Sequence, residues 1–122
     1  MRQGWFYGWM LVASLALPGS ALAHARLEKA EPAKRSELKT APSQIRLTFN
    51  ESIEAGYSRI TVENAAGEAL AAGAAPGPNA RSIELPLPAL APGGYRVRYR
   101  ALSVDGHVIE ADYRFHLKAT SP

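Results

Sequence analysis

The chain has no cysteine among its 122 residues. It can form no disulfide, offer no thiolate to a metal and carry no cysteine-linked lipid. Methionine and tryptophan are confined to Met1, Met10, Trp5 and Trp9. Everything after residue 23 therefore lacks the thioether sulfur that soft metal ions prefer. An excess of one charge is lacking too. There are 14 Lys and Arg against 11 Asp and Glu, and without Arg2 the basic count is 13. That balance, with no basic cluster, argues against nucleic acid or an acidic membrane surface as partner. No apolar run reaches the roughly 20 residues of a membrane-spanning helix.

What is present begins with an export signal. Arg2 is the only charge before Arg26, and an apolar stretch covers residues 9–17, broken only by Ser14. Pro18-Gly19-Ser20 ends it, and Ala21-Leu22-Ala23 supplies a small-x-small cleavage pattern. The reading is a signal peptide over residues 1–23 and one domain over residues 24–122. No twin arginine occurs, which favours export of the unfolded chain. The remaining 99 of 122 residues suffice for one small domain. With no disulfide available, its core must hold it together.

Period-two alternation dominates that domain. Residues 24–30 read as a first strand, with Ala25, Leu27 and Lys29 on one side. Residues 33–42 are polar and read as a loop. Gln44–Phe49 alternates with Ile45, Leu47 and Phe49 inward. Residues 57–63 bury Ile60 and Val62, residues 68–72 return after a turn, and residues 73–79 read as a mobile loop. Residues 81–85 form a short strand, and Pro92-Gly93-Gly94 a turn. Residues 95–101 put Tyr95, Val97, Tyr99 and Ala101 inward, with Arg96, Arg98 and Arg100 outward. Ile109, Ala111, Tyr113, Phe115 and Leu117 face in, while Glu110, Asp112, Arg114 and His116 face out. Antiparallel pairing sets these arginines against Glu110 and Asp112. No helix is read after the signal. Seven short strands predict an all-β fold, a Greek-key sandwich.

Cleavage after Ala23 makes His24 the leading residue, with a free α-amine and a ring nitrogen that together close a chelate ring. In Ser103-Val104-Asp105-Gly106-His107, extended backbone projects Asp105 and His107 from the same face. The His24 amine and ring, the His107 ring and Asp105 make three nitrogens and one oxygen. Such a set suits Cu(II) in a tetragonal plane, with zinc a poorer fit. Plainer roles compete. Asp105-Gly106 is an ordinary turn pair, His107 a half-buried polar residue at a strand start, and His116 a solvated side chain.

The domain resembles the CopC family of periplasmic copper-binding proteins. The matching pieces are His24-Ala25-x-Leu27, Glu31-Pro32-Ala33, and Ala41-Pro42 followed by Ile45-Arg46-Leu47-Thr48-Phe49-Asn50-Glu51. Further on come Pro92-Gly93-Gly94-Tyr95, Ser103-Val104-Asp105-Gly106-His107 and Tyr113-Arg114-Phe115. The resemblance implies a seven-stranded immunoglobulin-like sandwich or barrel in the periplasm. It implies Cu(II) held by His24, Asp105 and His107, with the His24 amine as fourth donor. Glu51 matches a family glutamate near the metal, as an outer or weak axial group. It also suggests a CopD-type inner-membrane partner, and a monomer is expected. Some members carry a second, Cu(I) site in a methionine-rich loop. Residues 65–80 here have neither methionine nor histidine, so a single Cu(II) site is expected.

Three functions are weighed. The first is copper sequestration or delivery by chelation, without catalysis. The second is a metal-free immunoglobulin-like interaction module, to which His107 would be indifferent. The third is a histidine-brace copper oxidase acting on glycans. Against it stand an in-plane carboxylate and the lack of a flat aromatic face.

Overall fold

The computed structural model describes residues 25–119. The expected signal peptide and His24 lie outside the described residues. Nine strands are present among the described residues. They are β1 (Leu27–Glu31), β2 (Glu37–Leu38), β3 (Gln44–Phe49), β4 (Arg59–Asn64), β5 (Ala69–Gly73), β6 (Ala75–Pro76), β7 (Ser82–Pro86), β8 (Gly93–Leu102) and β9 (Val108–Leu117). One sheet runs β1-β3-β7-β6 and the other β2-β9-β8-β4-β5. All neighbours are antiparallel except β2 and β9.

The two inner faces make one all-β core. Alternation sends Ile45, Leu47 and Phe49 of β3 against Ile60 and Val62 of β4, all fully buried. β7 adds both Ile83 and Leu85, and β8 adds Tyr95, Val97, Tyr99 and Ala101. Two ring contacts brace the core, the first between the layers and the second within the larger sheet. Phe49 meets Tyr99 edge-on at 5.9 Å, and Tyr95 stacks on Phe115 at 5.3 Å.

Several local expectations change. The polar segment at 33–42 contains β2, which lies beside the end of β9 through Glu37–His116 and Leu38–Leu117. Residues 73–79 contain β6, paired to β7. Both strands have two residues, too few for a period to be visible. The first strand carries a bulge between Leu27 and Lys29. The extra residue turns Lys29 out, while Leu27 and Ala30 pack on the core. Tyr57 is not in a strand; it ends a 3-10 turn at Ala55–Tyr57 and is 73% exposed. Gly93 and Gly94 belong to β8 rather than to a turn. Ala111 is exposed and Ile109 only half-buried.

The outer face of the larger sheet is a lattice of charge. Arg59 of β4 lies opposite Arg100 of β8, and Arg100 opposite Glu110 of β9. Two residues on, Arg98 lies between Thr61 and Asp112; then Arg96 lies between Glu63 and Arg114. Arg100 pairs with Glu110 at 3.3 Å, Arg98 reaches Glu63 at 3.1 Å and Arg96 reaches Asp112 at 2.7 Å. Exposed pairs of this kind contribute a few tenths of a kcal/mol each and mainly select register. On the smaller sheet Arg46 lies between Glu31 and Glu84, 2.8 Å from the latter.

Tyr113 is the core's polar anomaly. Its hydroxyl is buried without a hydrogen-bond partner among the described residues. Burial first, and then the neighbouring Tyr99, push its pKa well above the usual phenol value. Tyr99 is raised too, by burial and then by Asp112. The folded protein thus keeps these protons at pH values where the unfolded chain loses them, so stability falls as pH climbs above about 10. Tyr113→Phe removes the orphan hydroxyl. Urea unfolding at pH 8 should find the variant equal to the parent or up to about 1 kcal/mol more stable. The loss between pH 8 and pH 11 should also be smaller. A variant clearly less stable at pH 8 would mean that the hydroxyl has a partner.

Candidate metal centre

Two segments far apart in sequence are stitched together at one end of the sandwich. The β8–β9 hairpin closes through Ser103, which is almost fully buried. Its backbone N–H donates to the His107 carbonyl at 2.8 Å, and its hydroxyl accepts the His107 N–H at 3.1 Å. The Gly106 N–H donates to the Ser103 carbonyl at 2.9 Å. Gly106 sits at φ +86°, a conformation that side chains disfavour. The connection after β3 runs alongside. Val104 N–H donates to Ser52 carbonyl at 3.0 Å, Glu54 N–H to Leu102 carbonyl at 2.8 Å, and Ile53 bridges Ser103.

This stitching brings Glu51 under the hairpin loop. One ligand atom each from Glu51, Asp105 and His107 lies within 4.8 Å of the other two. Donors at roughly 2.0–2.2 Å from a first-row ion stand about 3–4 Å apart, so a small closing movement suffices. Asp105 and His107 are exposed, whereas the Glu51 side chain is only 16% exposed. Glu51 Oε2 is shielded from solvent, accepts no hydrogen bond among the described residues, and lies 3.7 Å from His107 Nδ1. That is beyond hydrogen-bond reach. A shielded carboxylate oxygen without a donor is costly unless a cation reaches it. The donor set is nitrogen and oxygen without sulfur, which fits a borderline or hard divalent ion.

Asp105 and His107 do converge, but not as neighbours on an extended strand. Residues 104–106 form turn and bend, and the tight loop aims both side chains to one side. Glu51 joins them on equal terms, a closeness that no local pattern announces. His116 is an exposed β9 residue on the outer face, away from the hairpin loop. Ser103 locks the loop through its backbone and its hydroxyl, and Ser52 anchors it through its carbonyl, neither of which leaves a sequence period. On the other side of Glu51, Asn50 holds the start of the domain. The Arg26 N–H donates to Asn50 Oδ1 at 2.7 Å, and the Asn50 N–H donates to the Arg26 carbonyl at 3.1 Å.

Comparison with known proteins follows the same lines. Residues 27–118 match the CopC domain. The chain is 35% identical over 111 residues to copper resistance protein C of Escherichia coli, covering 81% of this chain and 85% of that protein. It is 30% identical over 120 residues to the copper transport protein CutJ of Bacillus subtilis, covering 96% of this chain. It spans only 22% of CutJ's length. The crystal structure of CopC from Methylosinus trichosporium OB3b superimposes with a TM-score of 0.78 at 31% identity, covering 81% of this chain and 98% of that one. With a domain match over nearly all described residues and a shared sandwich, the chain belongs to the CopC family.

Proposed function

We propose that the protein is a periplasmic Cu(II)-binding protein that sequesters copper or delivers it onward. The observation that carries this reading is the convergence of Glu51, Asp105 and His107 around a shielded carboxylate oxygen with no donor among the described residues. In this reading His24 supplies its amine and ring nitrogens, His107 a third nitrogen and Asp105 an oxygen. Glu51 balances charge beside His107. Chain reach supports His24. Arg26 is tied to Asn50, next to Glu51, and two residues of extended chain span about 7 Å. The names of the relatives, copper transport and copper resistance proteins, support the cargo.

The chemistry is chelation. Protons compete with copper for the proposed His24 amine, so affinity falls as pH drops from about 7 to about 5. Release follows ligand exchange with an acceptor, a CopD-type membrane protein in this reading, or one-electron reduction to Cu(I) by an external reductant, since an all-nitrogen-and-oxygen site holds Cu(I) poorly. A single site and a monomer complete the proposal.

The test is a Cu(II) titration of the protein beginning at His24, followed by competition and EPR. One equivalent should bind with a tetragonal nitrogen-and-oxygen spectrum, and copper should displace zinc. Affinity no better than that of the His107→Ala protein would sink the reading. Glu51→Gln keeps the shape and removes the charge. It should weaken Cu(II) binding about 10- to 100-fold while leaving metal-free stability unchanged or higher.

A further inference from the structure

The near-neutral sequence conceals a segregated surface. The outer face of the β9-β8-β4 sheet carries Arg59, Arg96, Arg98, Arg100 and Arg114, and no lysine. Three carboxylates, Glu63, Glu110 and Asp112, each engage one arginine. Arg59 and Arg114 have no ion pair among the described residues. Each stands directly across from another arginine, Arg59 from Arg100 and Arg114 from Arg96. Like charges directly opposite each other weaken strand pairing. Arg100 and Arg96 are partly neutralised by Glu110 and Asp112, but among the described residues no carboxylate pairs with Arg59 or Arg114 themselves.

We propose that this face docks an extended acidic segment of a partner protein, its carboxylates taken by Arg59 and Arg114. The chemistry favours carboxylate, because guanidinium forks bind it with two parallel hydrogen bonds. The spacing favours a polymer. Arg59 and Arg114 are separated by two strand spacings across the sheet and four residues along it, about 16 Å at normal sheet dimensions. No small anion spans that distance, whereas carboxylates about five residues apart on an extended chain do. The relief favours a chain over a bilayer. Two hollows of about 550 and 480 Å³ break the face and share Arg96. One lies beside Arg114 and Arg35, the other beside Arg59 and Arg100. A peptide sets side chains into such hollows; a lipid surface lies across them. The proposal stands apart from the copper reading, since none of these arginines is a candidate metal ligand.

The test uses metal-free, isotope-labelled protein and three probes: a twelve-residue peptide with alternating glutamate, its glutamine counterpart, and phosphatidylglycerol vesicles. The glutamate peptide should shift the amides of Arg59, Thr61, Arg96, Arg98 and Arg114 most, and the glutamine peptide should shift none of them. Because Arg59 and Arg114 have no structural partner, Arg59→Gln with Arg114→Gln should fold normally and bind the glutamate peptide about fivefold more weakly. Lys29→Gln with Lys39→Gln should change nothing. Shifts spread evenly over all basic residues would overturn the proposal. So would equal binding of the glutamine peptide, or vesicles moving these amides while the peptide does not.

Discussion

One residue added ahead of His24 is expected to lower Cu(II) affinity by more than about a hundredfold. An outer partner of a metal ligand is worth roughly 10- to 100-fold. On the proposed reading a direct donor and its chelate ring are lost together. An internal amide nitrogen is a far poorer donor than a free amine, and the ring nitrogen then binds alone. The fold should be untouched, because the described core begins only at Leu27. Thermal unfolding should be identical for the two metal-free proteins, while competition titration separates them and EPR loses a nitrogen. Equal affinities would remove the amine from the site and leave Glu51, Asp105 and His107 as a simple surface cluster. His107→Ala tests the opposite wall of the same site and should cost at least as much as Glu51→Gln. Its backbone still bonds Ser103, so the loop survives.

Phe49→Ala is expected to cost about 3–5 kcal/mol of stability, the usual loss for a large buried aromatic. Phe49 is fully buried and holds Tyr99 edge-on from the opposite sheet. It also ends β3 immediately before Asn50 and Glu51, so the void opens beneath the proposed copper site. Denaturant unfolding measures the first effect. For the second, Cu(II) affinity at low denaturant should fall even in the fraction that remains folded. A loss below about 1 kcal/mol would mean that the sandwich closes over the gap, which its close-packed interior argues against.

The long strands were legible because burial imposes period two. β3, β8 and β9 each alternate cleanly, and the structure buries the residues that the alternation selects, apart from Ala111 and Ile109. Their partners on β8, Tyr99 and Ala101, are buried, so the exposure is confined to the β9 side of the pair, which the alternation of one strand does not encode. β2 and β6 were invisible because a two-residue strand exists only by virtue of its neighbour. At the candidate site, Asp105 and His107 were legible as a pair. The approach of Glu51 was not, since it depends on Val104 bonding Ser52 across two distant segments. Only the family resemblance pointed to it.

β2 flanks β9 only near its end, at His116 and Leu117. Among the described residues the first half of β9 thus leaves one backbone rim without a neighbouring strand, the kind of rim along which identical chains can stack into fibrils. Glu110 and Asp112 stand there, two residues apart on one face. A second copy sliding alongside would bring like carboxylates together, and their arginine partners already stand on β8. The same acids that steady the arginine lattice within one molecule thereby act as gatekeepers against self-assembly, a safeguard for a protein without disulfides to hold it folded.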